Sequence, residues 1–88
     1  MTTIYFMATG TAIKIGRSNN LDERKQTLQV ANEEKLTLLY KIENVQESFE
    51  QHIHEVCYRY KIRGEWFELT CINHLLQNPW FKENMIKC

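Results

Sequence analysis

The feature that most constrains the fold is a pair of short runs at the start of the chain, both rich in β-branched and aromatic residues. Residues 2–8 and 12–17 read as strands, and residues 9–11 (Thr-Gly-Thr) form a turn sequence between them. The sequence therefore predicts a β-hairpin. Each strand carries an ionisable side chain among apolar neighbours, Tyr5 in the first and Lys14 in the second. If the loop holds an even number of residues, both side chains lie on one face of the hairpin.

A helix is predicted after the hairpin, because Asn20 with a glutamate three residues later is typical of a helix start. Its apolar stripe contains Leu21, Leu28 and Ala31, and Arg24 lies on the same stripe. A helix that served only as scaffold would prefer an apolar residue at the position of Arg24.

The rest of the chain adds one strand and further helices. Residues 36–43 are a third strand candidate, and a second helix is predicted from about residue 46 to residue 60. Residues 71–87 can be helical, with a break at Pro79. The predicted fold is α+β, of order β-β-α-β-α-α, with a small three-stranded antiparallel sheet flanked by helices. We expect a single domain over residues 1–88, with a core at about 3–69 and a C-terminal helical extension at 70–88.

Charge and composition exclude some classes of protein. Eleven basic and eleven acidic residues cancel, which argues against nucleic-acid binding through bulk charge but leaves room for a local basic cleft. No apolar run is long enough to span a membrane, and we see no secretory signal. The three cysteines lack a C-x-x-C pair, so we expect reduced thiols in a cytoplasmic protein with no membrane partner.

Four ionisable residues stand where a scaffold would prefer apolar ones. They are Tyr5, Lys14, Arg24 and Glu50, the last at the border of the apolar stripe of the second helix. A carboxylate can hold a divalent cation that polarises a phosphate, and an arginine can clamp phosphate oxygens as charge builds. A tyrosine becomes a useful base only if a neighbouring cation lowers its pKa. These residue types suit phosphodiester hydrolysis.

The order of these residues resembles a known family. Ile4-Tyr5-Phe6, then Lys14-Ile15-Gly16, then Arg24 and Glu50 on successive helices, is similar to the GIY-YIG nuclease superfamily. The later Gly64-Glu65-Trp66-Phe67 resembles the G-E-W-F motif of a short phage and bacterial branch that also carries K-I-G. The resemblance covers roughly residues 3–69 and implies a GIY-YIG-like fold.

The resemblance also implies a role for each matching residue. Tyr5 would activate or orient the attacking water, and Lys14 stands where many members have a second tyrosine. Arg24 would stabilise the scissile phosphate, and Glu50 would be the sole carboxylate that binds the metal. Together with His54, frequent at its position in this branch, they complete the expected catalytic set.

Several further residues complete the expected site. Lys14, Arg17 and Arg24 are the candidate nucleic-acid contacts, although an arginine at a strand end is as often a solvated charge as a phosphate ligand. Four residues are expected to be structural. Gly16 permits close backbone approach and Gly64 turns the chain. Trp66 and Phe67 fill the core. Glu65 is left open between a structural and a functional role.

Two departures from the family pattern stand out. Thr3 replaces the leading glycine of the first motif, and the late asparagine of many members has no clear counterpart. Two plainer interpretations also remain. Lys14 could be a charge that protects an edge strand from aggregation, and Arg24 with Glu50 could form an interhelical ion pair.

A zinc site is the rival to a magnesium or manganese site. His54-x-x-Cys57 and Cys71-x-x-His74 provide two His/Cys pairs at one-turn spacing. Zinc sites of this type normally draw at least one pair from a tight turn rather than from mid-helix, and histidine and cysteine often serve as plain core residues. Zinc is therefore not the expected metal.

The functional expectation is a metal-dependent endonuclease that hydrolyses DNA phosphodiester bonds with Mg or Mn. The alternative is a catalytically inactive nucleic-acid-binding or adaptor module with the same fold. We expect a nuclease of 88 residues to need a homodimer, a partner protein or a structured DNA substrate for specificity, and the sequence does not choose among them.

Overall fold

The computed structural model describes residues 1–88 and shows six strands and four helices. The N-terminal part contains β1 (Thr2–Ala8), β2 (Ala12–Ser18), α1 (Leu21–Val30) and β3 (Thr37–Val45). Then follow α2 (Phe49–Val56), a 3-10 turn (Tyr58–Tyr60), β4 (Lys61–Arg63) and β5 (Trp66–Glu68). The chain ends with α3 (Cys71–Leu76), α4 (Pro79–Asn84) and β6 (Ile86–Lys87). None of these helices has the length and apolar character needed to cross a lipid bilayer.

All strands join one antiparallel sheet in the order β4-β5-β2-β1-β3-β6. The prediction of a three-stranded sheet is therefore wrong. Gly64 at φ 51° turns the chain between β4 and β5, and this small hairpin extends the sheet beyond β2. On the other side, β6 pairs with β3. The missed strands have only two or three residues, too few to show alternation.

The two central strands form the predicted hairpin. Tyr5 pairs with Gly16 and Met7 pairs with Lys14, so the side chains of Tyr5 and Lys14 lie on the same face. Four residues (9–12) lie between the last pair, Ala8 and Ile13, an even number as the shared face requires, and the Thr9 hydroxyl accepts from the Ala12 amide at 3.1 Å. The first strand has the predicted bounds, the second extends one residue further to Ser18, and the shared face of Tyr5 and Lys14 is confirmed.

The sheet carries apolar clusters of unequal size on its two faces. The larger contains fourteen buried residues, contributed by the sheet and by α2, α3 and α4. The smaller contains four buried residues, which are Tyr5, Met7, Leu28 and Leu36. Only α1 covers this second face, and Leu28 is its single buried residue. We call them the large cluster and the small cluster.

Helix boundaries follow local signals where those signals exist. The side chain of Asn20 caps α1 by accepting from the Glu23 amide at 3.2 Å. Pro79 is the first residue of α4, where a missing N–H costs nothing, so the predicted break is confirmed. The second helix is shorter than predicted, because the chain leaves α-helical geometry at Cys57 and passes through a 3-10 turn into β4.

Candidate functional site

A polar cleft of about 410 Å³ lies where β1, β2 and α2 meet. Only one of its nine lining residues is hydrophobic. The lining comes from both central strands, α1, α2 and three loops, and comprises Thr2, Tyr5, Arg17, Ser18, Asn19, Arg24, Glu47, Glu50 and Glu65. Residues far apart in the sequence therefore form one charged concavity.

Tyr5 forms the floor of the cleft. Its side chain is fully buried in the small cluster, while its hydroxyl accepts a hydrogen bond from Arg24 Nε at 3.3 Å. Burial raises the pKa of Tyr5, and the Arg24 guanidinium opposes that shift without overcoming it. The bond to Tyr5 in turn raises the pKa of Arg24. In the free protein Tyr5 is therefore a neutral phenol at physiological pH.

Gly16 provides the space that Tyr5 occupies. A Cβ at position 16 would overlap the Tyr5 hydroxyl and lie 2.5 Å from its ring carbon Cζ. The close approach expected at Gly16 is therefore a contact within the protein, between the backbone of β2 and the phenol of β1.

Arg17 joins the two carboxylates on the α2 side of the cleft. Its Nη1 is 2.8 Å from Glu47 Oε2, and its Nε is 3.2 Å from Glu50 Oε1. The plain interpretation that paired Arg24 with Glu50 is wrong, because Arg24 bonds to Tyr5 and Arg17 holds Glu50. The reason is geometric: Arg17 is at the end of β2, which packs next to α2.

Glu50 and Glu65 meet across the cleft as a coupled pair. Burial and the adjacent Glu65 carboxyl raise the pKa of Glu50 to about 7, against the opposing charge of Arg17. Burial would also raise the pKa of Glu65, but the hydrogen bond with Glu50 and the Lys14 ammonium outweigh it and lower that pKa. Glu65 therefore carries the negative charge of the pair, while Glu50 is partly protonated at neutral pH.

Lys14 supports Glu65 rather than lining the cleft itself. Its Nζ is 3.2 Å from Glu65 Oε1 and lies 5.5 Å from the centre of the Trp66 ring. Because β2 has neighbours on both sides, Lys14 is not on an edge strand, and the protective role considered for it is wrong.

His54 contacts Glu50 on the side away from the cleft. Its Nε2 is 2.9 Å from the backbone oxygen of Ile15 and 3.5 Å from Glu50 Oε2, and its ring packs against Phe67 at 5.1 Å. A single ring nitrogen thus faces both a strand of the central hairpin and the carboxylate one helical turn earlier. His54 orients Glu50 and does not line the cleft.

Comparison with known protein families gives a match over most of the chain. The sequence profile of the T5orf172 domain matches residues 2–85. The chain belongs to the T5orf172 domain family. This is a phage-associated domain of general nuclease-like or DNA-binding character. No curated protein and no solved structure matches the chain significantly.

The glycine and aromatic residues of the later motif have structural positions in this T5orf172 domain. Gly64 adopts φ 51° in the β4–β5 turn, a conformation that glycine adopts without strain. Phe67 is fully buried in the large cluster, and Trp66 packs against the small cluster on the opposite face. Adjacent residues of one strand thus contribute to both faces, and they place Glu65 at the cleft.

The four residues of the rival zinc constellation do not form one metal-binding group. Cys57 and Cys71 are fully buried in the large cluster, His54 is engaged with Ile15 and Glu50, and His74 packs against the Tyr60 ring at 5.4 Å. No group of three or more His, Cys, Asp or Glu side chains is arranged to hold a metal ion. A divalent cation in this T5orf172 domain would therefore need water or substrate oxygens beside its protein ligands.

Carboxylate oxygen is the ligand type that Mg²⁺ and Mn²⁺ prefer, and the cleft offers it from Glu50, Glu47 and Glu65. A cationic group already lies between two of them, since the Arg17 guanidinium contacts both Glu47 and Glu50. The residues present thus fit a divalent cation at Glu50. Of these residues, sequence reasoning singled out Glu50 alone as a ligand. Glu47 lies at i, i+3 spacing to Glu50, which indicates that both carboxylates share one edge, whereas no local pattern indicates that Glu65 faces Glu50.

Proposed function

We propose that this domain is a metal-dependent endonuclease of the GIY-YIG type that hydrolyses DNA phosphodiester bonds. One observation carries the proposal: Tyr5, Arg24 and Glu50, distant in sequence, line one polar cleft, with Gly16 shaped around the tyrosine. The family's general nuclease-like or DNA-binding character supports the same conclusion.

Glu50 would hold a Mg²⁺ or Mn²⁺ ion, with His54 fixing its carboxylate and Glu47 or Glu65 near enough to assist. When bound, such an ion polarises the phosphate and stabilises the charge that develops on it. Arg24 can bind a phosphate oxygen through the guanidinium nitrogens that its Nε bond to Tyr5 leaves free.

Tyr5 and Glu65 would orient the attacking water. Because its pKa is raised, Tyr5 keeps its proton and serves to orient water or phosphate by donating a hydrogen bond. Glu65 is ionised and lies in the same cleft, so it can accept a hydrogen bond from the attacking water, but its lowered pKa makes it a weak base. Lys14 holds Glu65 in this ionised form at 3.2 Å. Lys14 is thus a positioning residue.

A nicking assay tests the proposal. Supercoiled plasmid and branched DNA are incubated with Mg²⁺ or Mn²⁺ and with wild type, Glu50→Gln, Arg24→Gln or Glu43→Gln, the last being an exposed glutamate outside the cleft. We expect the two cleft variants to lose about 100-fold or more in rate, as removal of a transition-state contact does, and Glu43→Gln to cleave normally. Equal residual cleavage by all four proteins would show a contaminating nuclease and reject the proposal.

A second candidate is a catalytically inactive DNA-binding module with the same fold. The observation that favours it is the ion pairing of Arg17 with Glu47 and Glu50, which leaves the carboxylates already neutralised in the free protein. Fluorescence anisotropy with labelled branched DNA separates the candidates. Binding that needs Arg24 without any cleavage in Mg²⁺ or Mn²⁺ would support the inactive module and contradict the nuclease.

A further inference from the structure

The position of Arg17 has a consequence for metal binding. Its guanidinium spans two carboxylates, at 2.8 Å from Glu47 and 3.2 Å from Glu50, in the part of the cleft where Glu50 would hold a divalent cation. A divalent ion bound to the same oxygen of Glu50 would lie close to the guanidinium, so the two positive charges would repel each other and compete for that carboxylate.

The burial of the three side chains shows which of them can move. Glu50 is 14% exposed and is held by His54, whereas Arg17 is 44% and Glu47 is 64% exposed. Arg17 has no other carboxylate partner in the structure, so nothing besides these two ion pairs keeps its guanidinium in place. The pair with Glu47 is exposed at both ends and is therefore weak, and the Arg17 end of the pair with Glu50 is also open to solvent, so the guanidinium can be exchanged.

We propose that Arg17 is a stand-in cation, which neutralises Glu47 and Glu50 in the metal-free protein and leaves Glu50 when a divalent ion binds there. This inference rests on the proposed function, since it requires metal binding at Glu50. Released from Glu50, the guanidinium stays at the rim of the cleft, with its bidentate fork free for a phosphate group. Arg17 would thus contact DNA only after the metal is in place.

Titration with Mn²⁺ by calorimetry, without DNA, tests the exchange independently of cleavage. We expect Arg17→Gln to bind Mn²⁺ about fivefold more tightly than wild type, the factor that corresponds to loss of one weak competing ion pair. Arg17→Lys, which keeps the charge but not the planar fork, should lie between the two. Arg59→Gln, which changes an exposed arginine that lines no cleft wall, is the matched control and should bind as wild type does.

Side-chain NMR separates displacement of Arg17 from a simple loss of positive charge. Adding Mg²⁺ should shift the Nε–Hε signal of Arg17 strongly, because its carboxylate partner is lost. The Arg24 signal should move much less, because its Nε donates to Tyr5. In Glu50→Gln, Mg²⁺ should leave both signals unchanged.

Two results would overturn the inference, and they are distinguishable. If wild type binds Mn²⁺ no better than Glu50→Gln does, the proposed metal site fails and the exchange fails with it. If binding depends on Glu50 but Arg17→Gln is not tighter and the Arg17 signal does not move, the metal site stands and only the stand-in role of Arg17 is rejected.

Discussion

The two faces of the sheet differ in how much they bury. On one face, α2, α3 and α4 enclose a cluster of fourteen buried residues, whereas on the other α1 covers only four. Tyr5 belongs to the second group, and its hydroxyl opens into the cleft. Apolar burial is the main favourable term in folding, so the large cluster supplies most of the stability. Because few apolar residues are buried on the other face, ionisable groups there lower the free energy of unfolding only slightly.

This comparison also explains why the cleft lies at the boundary between the two faces. Tyr5 and Arg24 reach it from the small-cluster side, while Glu50 reaches it from α2 on the large-cluster side. The small-cluster groups can respond to a ligand because few apolar contacts restrain them. Glu50 is held more firmly, by His54 and the helix packed into the large cluster.

The largest expected effect comes from truncating a core side chain on each face. Phe6→Ala removes a fully buried ring from the large cluster and should lower the free energy of unfolding by about 3–5 kcal/mol. Leu28→Ala in the small cluster should cost about 2 kcal/mol, since α1 contributes no other buried side chain. Urea unfolding followed by circular dichroism measures both. A larger cost for Leu28→Ala would contradict the assignment of stability to the large cluster.

A methyl group at position 16 should disturb the small-cluster face through Tyr5. Gly16→Ala places a Cβ where the Tyr5 hydroxyl lies, so the ring must move, and we expect a loss of about 1–3 kcal/mol. Gly10→Ala is the matched control, because no atom lies within 4 Å of a Cβ at that turn position, and it should be nearly neutral. Thermal unfolding compares the two variants. Equal melting temperatures would show that the ring adjusts without cost.

Local signals explain which parts of the fold could be predicted from the sequence. The β1–β2 hairpin, the Asn20 cap and the Pro79 break each depend on residues within a few positions of one another. The segments β4, β5 and β6 are too short to show a period, and their pairing partners lie far away in the sequence. They become strands because β2 and β3 offer unpaired edges, a fact of tertiary structure.

The site was predictable in part of its membership but not in its pairing. The family resemblance brought together Tyr5, Arg24 and Glu50, and the structure places all three around one cleft. Which arginine meets Glu50 depends on how α2 packs beside β2, and that packing has no counterpart in local sequence. The same holds for Glu65, which reaches the cleft only because β5 pairs with β2.

The raised pKa of Glu50 predicts a decrease in stability with increasing pH. Its folded pKa is about 7, against an ordinary value of 4.5, so its protonated form stabilises the fold fully below pH 4.5. That contribution is lost as the pH rises to 7. Because solvent in the open cleft screens the carboxyl, we expect a loss of about 1 kcal/mol. Urea midpoints at pH 5 and pH 8, in chelator, should therefore fall further for wild type than for Glu50→Gln.

Two comparisons test whether this pH dependence of stability comes from Glu50 alone. The pKa of Glu65 is lowered, so its contribution is present above its ordinary value and is lost only at more acidic pH, below the window measured. Glu43→Gln alters an exposed glutamate paired with Lys41 and should keep the wild-type pH dependence. An unchanged pH profile in Glu50→Gln would mean that Glu50 is ionised throughout.

The smallest effect tests whether α1 unfolds independently of the large cluster. Asn20 caps α1 and Asn78 caps α4, where it accepts from the Trp80 amide at 2.9 Å, so each change to alanine should cost about 1 kcal/mol locally. Because α4 places Phe81 in the large cluster, Asn78→Ala should lower global stability. Hydrogen exchange measured by NMR, together with urea unfolding, distinguishes local from global loss.

For Asn20→Ala we expect the α1 amides to exchange about fivefold faster while the urea midpoint changes little, since a helix with one buried residue can open without the sheet. Such opening would expose Tyr5 and release Arg24, so α1 would control access to the floor of the cleft. Equal losses of global stability in both variants would show instead that the two faces unfold as one cooperative unit, and that the thin cover over Tyr5 is as rigid as the large cluster.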